Sequence, residues 1–242
     1  MTSPQFASDI ETGPQTEEEL LLITYPYNSK LWPHKWKKGN IKDPKKIEAK
    51  NKEREGAYNQ AAADGLLWKH LKAALDPALG RVLYIGFTGS SSEPVLGFSS
   101  KDEAVNLELN WELYESTKRE GGRVVGHNWL GFDLPYLIRR SWLCDVTVPD
   151  WIYQIRGDRI YFDEMFIDTM KIWPMGRRGA DEPSLNDLAA MFGVGGKADE
   201  EVTGETFHLY WNGSPEEHAK ALKYAQQDVR LTAKIVELMG LV

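Results

Sequence analysis

Residues 126–137 read GHNWLGFDLPYL, and how they are read decides the architecture. Just before them, RVVGHN (123–128) begins with the β-branched run of a short strand. Just after, DLPYLIRRSW sets Leu134, Leu137, Ile138 and Trp142 at helical spacing. Strand, tight turn and helix in succession is the building unit of an α/β protein. The turn also holds a puzzle. Asp133 lies among Trp129, Leu130, Phe132, Leu134, Tyr136 and Leu137, and an ionised carboxylate in such company is costly unless something pairs with it. A local answer is that Asp133 caps the helix beginning at Leu134, with Pro135 tolerated in its first turn. The other answer is a partner from elsewhere in the chain.

Working outward, RVLYIGFTG (81–89) reads as a buried strand and EPVLGFS (93–99) as its neighbour after a Gly/Ser turn. Ser100 then precedes KDEAVNLELNWELYES, an amphipathic helix with Ala104, Leu107, Trp111 and Tyr114 along one side. Beyond the central stretch, RIYFDEMFIDTMKIW (159–173) reads as one or two strands and PSLNDLAAMFGV as a short helix ended by Gly193. The last segment opens with Ser214, Pro215 and Glu217, a capping box with proline in the first turn. It predicts a long helix through YAQQDVRLTAKIVELMG. At the other end, QFASDIET reads as a strand with Phe6 and Ile10 on one face and Ala7, Asp9 and Glu11 on the other, stopped by ETGP.

Between these core elements lies a different composition. Residues 35–54 hold nine Lys/Arg against Asp43, Glu48 and Glu53. Asp43 followed by Pro44 marks a helix start, with the helix running towards Asp64 and a second from Gly65 to Leu75. The stretch from about 15 to 78 reads as a basic helical insertion into the α/β core. With Trp32 and Trp36 nearby, its lysines suit either a solvated arm or a grip on a nucleic-acid backbone.

Three carboxylate stretches stand out. Asp9 and Glu11, two apart on a strand, leave the same face, where like charges repel unless a cation or proton intervenes. Asp133 is the second. Tyr224 and Asp228 are four apart on the terminal helix, with Leu231 and Ile235 continuing their stripe inward. Each alone has an ordinary explanation: a solvated strand end, a helix cap, a Tyr–Asp hydrogen bond.

Taken together, SDIETG, GHNWLGFDLPYL and YAQQD resemble the three motifs of the DEDD 3′–5′ exonucleases, in the same order. The wording of the second is similar to the proofreading domains of family B DNA polymerases. Tyr224, with Lys223 where a histidine would stand five before Asp228, indicates the tyrosine subclass. The resemblance covers about residues 4–14 and 79–242. It implies a ribonuclease H-like fold, a three-layer α/β/α arrangement around a mixed five-stranded sheet, as a single exonuclease domain over 1–242 interrupted by the insertion. Ser8 departs from it, standing where such proteins place a large apolar residue, and is an expected weak point of the first strand.

By the same resemblance, two divalent ions, Mg²⁺ or Mn²⁺, would be bound, with Asp9 bridging them. Glu11 and Asp228 would help hold the ion that carries the nucleophile, and Asp133 would act on the second through water. Tyr224 would orient the attacking water. Thr12 and Asn128 match positions that contact the terminal nucleotide or support the site. The implied substrate is the 3′ end of DNA, with a ribonuclease D-like action on RNA as the alternative and a non-catalytic binding module on the same fold as a third reading. A separate polymerase or a replication or repair protein is a conceivable partner. Divalent ions suit an all-carboxylate site because hard cations take oxygen ligands.

Composition is compatible with this. A net charge of −7 argues against a nucleic-acid coat protein, but carboxylates gathered for metal ions themselves add negative charge. Cys144 is the sole cysteine, which excludes an internal disulfide or thiolate zinc cage and suggests a reducing cytoplasm. The opening residues lack a signal-peptide pattern, and no apolar run reaches membrane-span length. The chain is therefore expected to be a free-standing cytoplasmic nuclease or a separate subunit. His127 is expected to be packed or hydrogen-bonded rather than a ligand, and Asp163, Glu164 and Asp168 to occupy turns and edges rather than to bind metal.

Overall fold

Strand β1 (Gln5–Pro14) lies at the centre of a five-stranded sheet whose order is β3-β2-β1-β4-β5. In this computed structural model residues 5–16, 19–20, 43–63, 73–154, 165–175, 182–195 and 201–241 are described. The flanking strands are β2 (Gly80–Thr88), β3 (Leu96–Phe98), β4 (Arg123–Gly126) and β5 (Phe166–Asp168). β4 runs parallel to both β1 and β5, whereas β2 and β3 are antiparallel, so the sheet is mixed.

The register places Phe6, Val124 and Phe166 in one row across three strands, and Ala7, Val125 and Ile167 in the next. Successive side chains leave a strand on opposite faces, so these two rows face opposite layers. The first row packs with Leu107, Trp111 and Tyr114 of helix α2 (Glu103–Arg119) and Leu134 and Leu137 of α3 (Leu134–Leu143). Helix α1 (Pro44–Ala63) comes earlier in the chain, between β1 and β2. The second row meets Val229, Ala233 and Val236 of the terminal helix. Helices thus cover both faces of the sheet. This is the α/β architecture expected from the sequence and is consistent with a ribonuclease H-like fold.

The remaining helices are short: α4 (Thr169–Ile172), α5 (Leu185–Phe192) and α6 (Phe207–Trp211); then α7 runs from Pro215 to Leu238. The capping box at Ser214 and Glu217 is present, and so is one at Ser184 and Asp187 ahead of α5. α2 and α3 are joined by a buried ion pair, Arg140 donating from Nε and Nη2 to Glu103 at 2.9 and 2.6 Å. Glu103 Oε1 also accepts the Val82 N–H at 2.7 Å, so one carboxylate ties both helices to β2.

Several expectations are corrected. β1 is not stopped by ETGP but continues through Pro14, and layers cover it on both faces. Ser8 does not loosen it. Buried at the strand centre, its hydroxyl donates to Gly86 O at 3.0 Å and links β1 to β2. Helix α2 begins at Glu103 rather than directly after Ser100, with Asp102 as its cap. The stretch 165–173 is a three-residue strand followed at once by α4, not extended strand, because Asp168 caps Met170 and Lys171. Residues 159–160 and 161–164, with Asp163 and Glu164, lie outside the described residues.

The chain divides into two compact units, Met1–Thr12 with Val82–Val242, and Gly13–Arg81. Within the second, Asp43 Oδ1 accepts the Lys45 N–H at 3.0 Å and α1 follows, as the Asp-Pro signal predicts. Lys45, Lys46 and Lys52 are exposed along it. The second expected helix falls largely outside the described residues, and its described end, Ala73–Leu75, is a 3-10 turn. Lys35, Lys37, Lys38, Lys42, Trp32 and Trp36 also fall outside them. Among the described residues no helix is long and apolar enough to cross a membrane.

Candidate metal centre

Asp9 and Glu11 follow Ala7 on the face of β1 that looks towards α7. Tyr224 and Asp228 come to the same place because α7 lies close on the sheet. Its approach depends on Gly86 of β2: a Cβ there would meet Val229 Cγ2 at 2.8 Å and Tyr84 Cε1 at 2.9 Å. Val229 is the next residue after Asp228, so the close packing sets the depth of the carboxylate. One carboxylate oxygen from each of Asp9, Glu11 and Asp228 lies within 4.8 Å of the other two. Glu11 and Asp228 are each 7% exposed and Asp9 is half-buried.

Tyr224 is hydrogen-bonded to Asp228, and its phenol is pushed well above its ordinary range. Burial is the largest cause, followed by the negative charges of Asp228, Glu11 and Asp9. In the metal-free protein the hydroxyl therefore stays protonated at neutral pH, where it can donate a hydrogen bond and orient a neighbour.

Asp133 stands beside this trio rather than in it. It is 3% exposed, and its Oδ1 accepts the Ile10 N–H at 3.2 Å, between Asp9 and Glu11 in sequence. Its carboxyl is raised well above the usual range, first by burial and then by the charge of Asp9, with the Ile10 N–H opposing. The helix-cap explanation fails. Residues Trp129–Asp133 already form a π-helical turn that runs into α3, Asp133 has helical dihedrals, and its side chain makes no cap hydrogen bond. A residue inside a continuous helical path has no exposed N–H in front of it to cap.

Thr12 is buried at the end of the same stretch of β1. Asn128 leaves β4 in the left-handed conformation, φ 58° and ψ 21°. His127 is hydrogen-bonded as expected, Nδ1 to Thr169 Oγ1 at 2.9 Å, and burial lowers its pKa to about 4. Asp168 ends β5, a strand at the edge of the sheet as expected, and both its carboxylate oxygens are engaged by backbone N–H groups, including those of Asn128 and Leu130. Its sequence signal was present but local: an Asp followed by Thr at a strand end is a helix-cap pattern. The long-range half of its bonding had no signal.

The donor set fits a hard divalent cation. Asp9, Glu11 and Asp228 offer oxygen only, converge from two elements, and would repel one another without a positive charge between them.

No protein-family model matches the chain, and no curated protein matches it significantly. Among solved structures it is similar to the family B DNA polymerase from the hyperthermophilic archaeon Pyrobaculum calidifontis, with 17% identity and a TM-score of 0.60. The match covers 99% of this chain and 25% of the polymerase chain. The chain thus spans about a quarter of the length of that protein, and at this identity the likeness shows the fold.

Proposed function

We propose that the protein is a metal-dependent 3′–5′ exonuclease that releases nucleoside 5′-monophosphates from single-stranded or frayed DNA 3′ ends. The observation that carries this reading is the meeting of Asp9, Glu11 and Asp228 within 4.8 Å, from segments far apart in the chain. The order of the three motifs and the fold shared with a DNA polymerase support it.

In this reading Asp9, Glu11 and Asp228 would hold Mg²⁺ or Mn²⁺, and Asp133, which meets β1 at the Ile10 N–H, would serve a second ion. Bound there, such ions supply positive charge for the phosphate and make water a better nucleophile at neutral pH. The rest falls to the protein. Tyr224, hydrogen-bonded to Asp228, positions the water that attacks phosphorus as the bond to the 3′-oxygen breaks. Water's proton passes to solvent, and the leaving oxygen takes one up. Asn128 and Thr12 contact the terminal nucleotide. The stretch 15–78 is an insertion whose exposed Lys45, Lys46 and Lys52 add attraction for the phosphate backbone.

The test is digestion of 5′-labelled DNA and RNA oligonucleotides with Mg²⁺ or Mn²⁺. A descending ladder from the DNA 3′ end is expected, absent with chelator. Asp228→Ala should slow it by at least about a thousandfold and Tyr224→Phe by about a hundredfold. Equal ladders from wild type and the Asp228 variant would sink the proposal, and preferential digestion of RNA would move the substrate to the ribonuclease D-like alternative.

A further inference from the structure

The turn between β4 and α3 carries both Asn128 and Asp133, and it is held from the neighbouring strand. Asp168 closes β5, opposite Gly126 in register, and is 2% exposed. Its carboxylate accepts four backbone N–H groups. Oδ1 takes those of Asn128 at 3.0 Å, Met170 at 3.0 Å and Lys171 at 3.4 Å, and Oδ2 takes that of Leu130 at 2.9 Å. Met170 and Lys171 belong to α4, which Asp168 caps. A cap needs only one oxygen. The other two donors lie 40 and 38 residues earlier in the chain, in the turn itself.

The neighbouring residue reinforces the hold. Thr169 Oγ1 pairs with His127 Nδ1 at 2.9 Å and with Gly126 O at 3.2 Å. Asn128, fixed in its left-handed conformation, in turn accepts the Gly131 and Phe132 N–H groups on its carbonyl at 3.0 and 2.9 Å. Those bonds begin the π-helical turn that delivers Asp133 to the Ile10 N–H. The Asn128 side chain lies over Gly131: a Cβ there would fall 2.2 Å from Asn128 Oδ1.

We infer that Asp168 is a positioning residue for the candidate site: by accepting the Asn128 and Leu130 N–H groups it fixes where the Asn128 amide lies and where Asp133 meets β1. It acts through the turn and touches neither ion nor nucleotide, since its oxygens are engaged by backbone. The inference rests on the exonuclease reading for the roles of Asn128 and Asp133, but the hold on the turn does not.

The experiment compares wild type with Asp168→Asn, which keeps shape and one acceptor but turns an NH₂ towards a backbone donor. Three readouts are taken: amide hydrogen exchange at Asn128 and Leu130, Mn²⁺ affinity without nucleic acid, and kcat and KM on a single-stranded DNA oligonucleotide. Exchange at both amides should quicken and kcat/KM fall by about tenfold or more, while Mn²⁺ affinity at the acidic trio changes less than about twofold. Asp168→Glu, with two acceptors restored, should fall between wild type and the Asn variant. Gly131→Ala should raise KM by evicting the Asn128 amide. Unchanged kcat/KM in Asp168→Asn overturns the inference. So does a loss of Mn²⁺ affinity in step with activity, which would mean general collapse of the site. Should the Asn variant not fold, the Glu variant decides by the same readouts. A wild type that digests no nucleic acid, yet shows the exchange difference, removes the exonuclease reading and leaves the hold on the turn standing.

Discussion

Asp133 is placed against its own solvation: buried, beside the charge of Asp9, and with the Ile10 N–H to oppose the two effects. Its carboxyl has a higher pKa in the folded protein than in the unfolded chain. Between those two values the native state binds more protons, so the metal-free fold loses stability as pH rises through that interval. Removing the charge while keeping the oxygen that accepts from Ile10 should relieve this. Asp133→Asn is expected to stabilise the metal-free protein at neutral pH by about 1 kcal/mol, raising Tm by about 2–4 °C. It should also lose most of the proposed nuclease activity. Thermal unfolding of both proteins in chelator, then in Mn²⁺, measures it. A metal-free variant less stable than wild type would show that the carboxylate is not strained where it sits.

At the scale of elements, the site depends on how closely α7 approaches the sheet, and Gly86 sets that distance. A methyl group there would press on Val229 and Tyr84, both buried among packed neighbours. Overpacking of this kind costs about 1–3 kcal/mol. Gly86→Ala is therefore expected to lower the unfolding free energy by that amount, read as a lower urea midpoint, and, by lifting Asp228 from Asp9 and Glu11, to weaken Mn²⁺ binding. A variant that loses stability but binds Mn²⁺ as wild type does would separate the helix's packing from the site's geometry. Elements such as α7 were legible in the sequence because their signals are local: Ser214, Pro215 and Glu217 announce its start, and the Tyr224–Asp228–Leu231–Ile235 stripe gives its inward face. The central position of β1 was not, since covering layers on both faces are a tertiary fact that alternation alone cannot express. Nor was the short β5, where the cap at Asp168 overrode the strand-like residues after it. Of the site, Asp9, Glu11 and Asp228 stood out by residue type and spacing but were joined into one site only by the resemblance to the exonuclease motifs, and they do converge. For Asp133 the residue was legible but its surroundings were not, because a π-helical turn has no sequence period of its own. Asp168 was missed in its main role, since a bond to an amide 40 residues away leaves no mark on local spacing.

Across the whole molecule, stability against pH sums groups that pull in opposite directions. Asp133 and Asp168 have raised carboxyls, both chiefly through burial; each favours the fold as pH falls towards its folded value. His127 does the reverse. Burial among β4, β5 and α4 holds its pKa at about 4, while in the unfolded chain it titrates near 6.5. The unfolded state thus binds the extra proton between about pH 6.5 and 4, so this residue's contribution is fully present above that window and is lost as pH falls through it. With some solvent exposure remaining, the loss amounts to about 2 kcal/mol. The buried carboxyls mask it in the wild-type curve alone, which is why a difference is needed. His127→Asn removes the titrating ring. The stability gap between wild type and this variant should shrink by about 2 kcal/mol from neutral pH to about pH 4.5, measured by urea unfolding at both. A gap independent of pH would mean that His127 takes up its proton equally in folded and unfolded chains, and that the ring between Gly126 and Thr169 is open to water.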